Sequence, residues 1–141
     1  MEIPVALNTY FREKDFSNYP IIHIPQYSED DRGSIVNIAD GSLGDVAIIN
    51  SKTNSIRANH THKDDWHLSY LVEGEIQYFW EENNMQNSIK IQPGQLFYTP
   101  PKVPHKMVFL KDSIFIAVAA LSRTQENYEN DTTRLDEKYF G

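Results

Sequence analysis

The chain has 141 residues, 40% of them hydrophobic and 12% aromatic, which suits one domain with one real core. It has no cysteine, which excludes disulfides and thiolate metal sites and leaves imidazole and carboxylate as the available metal ligands. A net charge of -7 argues against a broad phosphate-binding surface, so no nucleic-acid partner is expected. The N-terminus lacks a basic region followed by an apolar run, and no stretch is long enough to cross a bilayer, so a cytoplasmic protein with no membrane partner is expected.

In chain order, residues 1–30 read as an N-terminal strand or arm, 31–121 as a β-barrel and 122–141 as a polar tail or short terminal helix with no chemistry assigned. The N-terminal segment from Ile3 to Ile24 carries apolar and aromatic residues ahead of the barrel, which predicts self-association as a homodimer. Short β-type runs then follow at Ser34 to Ile38, Val46 to Asn50, Arg57 to His62, His67 to Val72 and Glu75 to Trp80. Four more lie at Ser88 to Ile91, Leu96 to Thr99, His105 to Phe109 and Ile114 to Ala120. Glu73-Gly74, Glu82-Asn83-Asn84 and Pro93-Gly94 supply turns between them. Pro100, Pro101 and Pro104 cannot occupy a central ladder, so their segment is a loop at the barrel rim.

Chemistry concentrates in the histidines. Residues two apart on a strand share a face, so His60 and His62 project together and make half of a metal site. After the polar turn Lys63-Asp64-Asp65 the chain re-enters a strand at Trp66-His67, which returns a third imidazole. His105 follows the proline loop at the start of an apolar strand, where its side chain enters the barrel mouth. His23 matches no such pattern and reads as a structural or surface residue, and Asp64 and Asp65 read as a solvated acidic turn.

These residues resemble the two motifs of the cupin superfamily. The first places Asn54, His60, His62, His67 and Gly74 where the family has Gly, His, His, Glu and Gly. The second places Gly94, Pro100, Lys102 and His105 where it has Gly, Pro, Gly and His. Asn54 and Lys102 depart from glycine, and His67 stands in the usual place of a Glu ligand. The resemblance implies an all-β fold, the double-stranded β-helix or jelly-roll barrel. It also implies a divalent transition metal (Zn, Fe, Ni, Co or Cu) on His60, His62, His67 and His105.

A second resemblance lies in Glu29-Asp30-Asp31-Arg32-Gly33-Ser34 and in Arg57-Ala58-Asn59-His60-Thr61-His62. These look like segments of cupins acting on nucleotide sugars, such as deoxysugar epimerases and ketoisomerases. That likeness implies His60 and His62 as catalytic bases and Arg57 as the substrate's phosphate contact. Strict alternation, however, puts Arg57 on the opposite face from His60, and only a bulge would bring them together. The leading expectation is a metal-dependent isomerase or epimerase acting on a small-molecule sugar or nucleotide sugar in polysaccharide synthesis. An iron-dependent dioxygenase and a non-catalytic sugar-binding or regulatory cupin are the alternatives.

Overall fold

A computed structural model describes residues 16–23, 28–39 and 42–141, so the first half of the expected N-terminal arm lies outside the described residues. Among these, no helix is long and apolar enough to cross a membrane.

The fold follows from alternation and turn chemistry. Strands β1 (Ile21–Ile22), β2 (Ser28–Asp30) and β3 (Gly33–Ile35) precede the barrel. The barrel strands are β4 (Asp45–Ser51), β5 (Ile56–His62), β6 (His67–Glu73), β7 (Ile76–Glu82), β8 (Met85–Ile91), β9 (Leu96–Thr99), β10 (His105–Phe109) and β11 (Ser113–Ala119). A short helix α1 (Gln125–Asp131) and strand β12 (Thr132–Arg134) end the chain. Eight of the nine strands expected from sequence are present in the two barrel sheets, and the ninth, Ser34 to Ile38, is strand only as far as Ile35 and pairs with β2 in a separate hairpin. β8 begins earlier than expected because Asn83 and Asn84, at φ 53° and 61°, make a two-residue turn that pairs Glu82 directly with Met85.

Two five-stranded antiparallel sheets result, in the orders β1-β9-β6-β11-β4 and β12-β5-β10-β7-β8. From β4 to β7 successive strands fall in alternate sheets, and β9, β10 and β11 alternate again, which is the jelly-roll connectivity. The inward positions of both sheets supply the core: Leu71, Ile76, Tyr78, Phe97, Phe109 and Phe115 are all buried. Each such side chain contributes about 1.5–3 kcal/mol relative to exposure. A second apolar cluster, Trp66, Leu68, Leu96, Tyr98 and Val118, is covered by Phe16, Tyr19 and Leu43.

The C-terminal segment adds more than the helix expected there. Thr124 caps α1 by accepting from the N–H of Asn127 at 3.3 Å, and β12 then pairs antiparallel with β5, Thr132 opposite His62 and Arg134 opposite His60. A polar stretch is thereby laid along the strand that carries two of the histidines. Phe140 anchors its far end against Phe79, with ring centroids 5.9 Å apart.

Candidate active site

The site is shaped first by a distortion in β5. Ala58 and Asn59 both have positive φ, 65° and 58°. Across the β10 partner, His105 pairs with His60 and Met107 with Arg57, with the register shifting between His105 and Lys106. Residues opposed in an antiparallel pair share a face, and so do His105 and Met107, two apart. Arg57 and His60 therefore both face the barrel interior. This corrects the alternation argument, and the extra residue of the bulge is the reason. Asn59 tolerates the left-handed region; an alanine there gives no sequence signal of it.

The imidazoles converge as the spacing implies. His60, His62 and His105 are buried. The His60 ring centroid lies 4.4 Å from that of His62 and 4.7 Å from that of His105. One nitrogen from each of the three falls within 4.8 Å of the others. The Nδ1–H of His105 donates to the backbone oxygen of Val103 at 2.8 Å, which leaves Nε2 for the cavity. The Nε2 of His62 is buried with no hydrogen-bond partner. His67 stands beside the trio, 4.7 Å from the His62 ring, but its Nε2–H donates to Asp65 Oδ2 at 2.9 Å. His23 is exposed.

Burial sets the charge state. Desolvation, then repulsion from His62 and His67, pushes His60 down to about 3. Burial and His67 push His62 down to about 4 against the pull of Asp65 and Asp131. Burial, followed by His60, holds His105 well below the usual imidazole range. The trio is neutral at pH 7, the form that accepts a proton or ligates a metal. Neutral nitrogens within reach of one another, one of them orphaned in the interior, fit a divalent transition ion. The fit rests on His60, His62 and His105, with His67 held to Asp65.

A cavity of about 260 Å³ opens onto His60, His67 and His105 and is also bordered by Arg57, Arg123 and Tyr128. Sequence reasoning missed several of its surroundings. The Tyr128 hydroxyl lies 3.4 Å from His60 Nδ1, and Asp131 Oδ2 and Thr132 Oγ1 each lie 3.4 Å from His62 Nδ1. Asp131 also accepts from the N–H groups of Asp64 and Asp65, at 2.8 and 3.2 Å, and so fixes the turn between His62 and His67. Asp65 is buried rather than solvated, and Asp31 and Arg32 lie on an exposed hairpin. Position in an aperiodic polar tail gave Tyr128 and Asp131 no signal; only β12 pairing brings them here.

Comparison of the fold finds sugar-modifying enzymes. The chain is similar to QdtA, a sugar 3,4-ketoisomerase from Thermoanaerobacterium thermosaccharolyticum solved with TDP. The TM-score is 0.66 and the identity 17%, over 87% of this chain and 93% of that one. A 3,4-ketoisomerase from Helicobacter canadensis aligns at TM-score 0.69 and 18% identity, over 87% and 94%. The dTDP-4-dehydrorhamnose 3,5-epimerase from Sulfolobus tokodaii aligns at 0.64 and 14%, over 90% and 83%. At these identities the likeness is one of fold, and no curated protein matches the sequence. The family model described as the cupin domain matches residues 44–120, from the approach to β4 through β11 and across both histidine segments. The chain belongs to the cupin family.

Proposed function

We propose that this cupin is an isomerase or epimerase of a keto-sugar carried on a nucleotide, with His60 and His62 as proton-transfer groups and Arg57 as the phosphate contact. The observation that carries it is that the neutral, buried imidazoles of His60 and His105 border one cavity with Arg57, with His62 packed against His60. The ketoisomerases and the epimerase that share the fold support the same substrate class.

The carbon next to a sugar carbonyl is weakly acidic, and isomerisation requires its proton to be removed and returned at a neighbouring carbon. A neutral imidazole offers the accepting lone pair. Its basicity, lowered by burial, rises when an anionic ligand is bound, because the developing imidazolium then faces negative charge. Arg57 donates from Nε to Ser51 Oγ at 2.7 Å and from Nη2 to the Asn50 backbone oxygen at 3.0 Å, which orients it and leaves Nη1 for a phosphate. In the alternative, His60, His62 and His105 would hold a divalent ion, and their lone pairs would then go to the metal and not to the substrate's proton. When bound, the ion supplies Lewis-acid polarisation of a carbonyl oxygen.

The test follows TDP-4-keto-6-deoxyglucose by NMR in D2O. Wild-type protein is expected to convert it with deuterium entering the product, and His60→Ala and His62→Ala to lose roughly 100-fold or more. His23→Ala should be unchanged. Elemental analysis of protein purified without chelator separates the two roles: a divalent metal that His62→Ala and His105→Ala lose assigns the imidazoles to the metal, and turnover by metal-free protein assigns His60 and His62 to proton transfer. No turnover of keto-sugar nucleotides, with iron bound and oxygen consumed, would replace this reading by the dioxygenase.

A further inference from the structure

Two guanidinium groups border the histidine cavity, and both are tethered to the same strand. Arg57 is tied to Asn50 and Ser51 at the C-terminal end of β4. Arg123, in the connection between β11 and α1, meets Asp45 at the N-terminal end, Nε to Oδ2 at 2.7 Å. Both of those atoms are shielded from solvent and neither makes an aligned hydrogen bond, so the tether is an ion pair. From Asp45 to Asn50 an extended strand covers about 17 Å, so the two arginines are held at opposite ends of the cavity's β4 wall.

The two are prepared for different tasks. Arg57 has two of its nitrogens engaged by neutral oxygens and no carboxylate partner among the described residues, so it brings an uncompensated cation. Arg123 is held from behind at Nε, and among the described residues its Nη groups have no partner. That arrangement presents the planar fork that matches a carboxylate in two parallel hydrogen bonds. Apart from Asp45, the two acids that line a pocket together with Arg123 are engaged elsewhere. Asp65 accepts from His67 and from the N–H of Leu121 at 3.0 Å, and Asp131 is engaged by backbone N–H groups.

Resting on the nucleotide-sugar reading above, we propose that Arg123 is a specificity-determining residue that reads a carboxylate on the sugar. Nucleotide-linked sugar acids are then preferred over the corresponding neutral sugars, bound with the phosphate toward Arg57 and the carboxylate toward Arg123.

UDP-glucose and UDP-glucuronate differ only at the sugar's C6 and separate the two contacts by calorimetric titration. Wild-type protein should bind the glucuronate roughly tenfold or more tightly, the increment expected of a charge-assisted bidentate contact. Arg123→Gln should lose the preference and bind the two ligands within about twofold of each other. Arg123→Lys, which keeps the charge facing Asp45, should show a reduced preference and guards against misfolding of the glutamine variant. Arg57→Gln should weaken both ligands and keep the preference. Equal binding by wild type, or a preference retained in both Arg123 variants, overturns the inference. If neither nucleotide sugar binds, the nucleotide reading fails, and glucose 1-phosphate against glucuronate 1-phosphate then tests Arg123 alone. Equal binding of that pair, or none, overturns the proposal.

Discussion

The buried histidines make the chain's stability depend on pH in a direction that the residues themselves fix. His60 and His62 are pushed from 6.5 down to about 3 and about 4 in the folded barrel, by burial first and by neighbouring imidazoles second. The unfolded chain therefore takes up protons below about pH 6.5 that the folded chain refuses, and stability rises with pH wherever the unfolded state binds more protons. Their neutral form costs nothing above that pH. As pH falls from about 6.5 toward 4, stability is lost. Thermal melts of chelator-treated protein between pH 7.5 and 4.5 should show a falling midpoint, with a shallower slope in His60→Gln. A midpoint that rises on acidification would count against neutral burial of these rings.

The decisive element is β5, where one bulge sets the direction of an arginine and two histidines. Its geometry places Ala58 at φ 65°, a conformation in which a Cβ is strained and glycine is not. Ala58→Gly should therefore relieve more in the folded state than it costs by loosening the unfolded chain. A gain of about 0.5–1 kcal/mol is expected, read as a melting point higher by roughly 2–4 °C with the register intact. A lower melting point would mean that the bulge is not built this way. The same logic explains two departures from the family's glycines. Asn54 and Lys102 sit at φ 71° and 66°, so the backbone keeps the shape of the motif although the residue type has changed.

At the scale of the whole molecule, the sheet that contains β4 and β6 leaves Val46, Ile48 and Val72 at 60%, 71% and 48% exposure on one outer face. Single apolar residues at a surface are ordinary, but Val46 and Ile48 on β4 with Val72 on β6, one strand apart across β11, suit contact with a second copy. Light scattering should give about twice the 16.4 kDa chain mass, and Ile48→Glu should reduce it to one chain. A monomer at micromolar concentration in the wild type would exclude the dimer. The sequence by itself determined the strands, the proline loop and the spacing that gathers His60, His62 and His105, because alternation and turn chemistry are local rules. Those rules reach only a few residues. That Arg57 turns inward depends on a bulge seen only against β10. That Asp65 is buried, and that Tyr128, Asp131 and Arg123 surround the imidazoles, depends on β12 closing on β5 and on Asp45 meeting Arg123 from the far side of the chain. Such contacts join residues distant in sequence, are stabilised by pairing and burial that no local pattern encodes, and were decided by the tertiary structure alone.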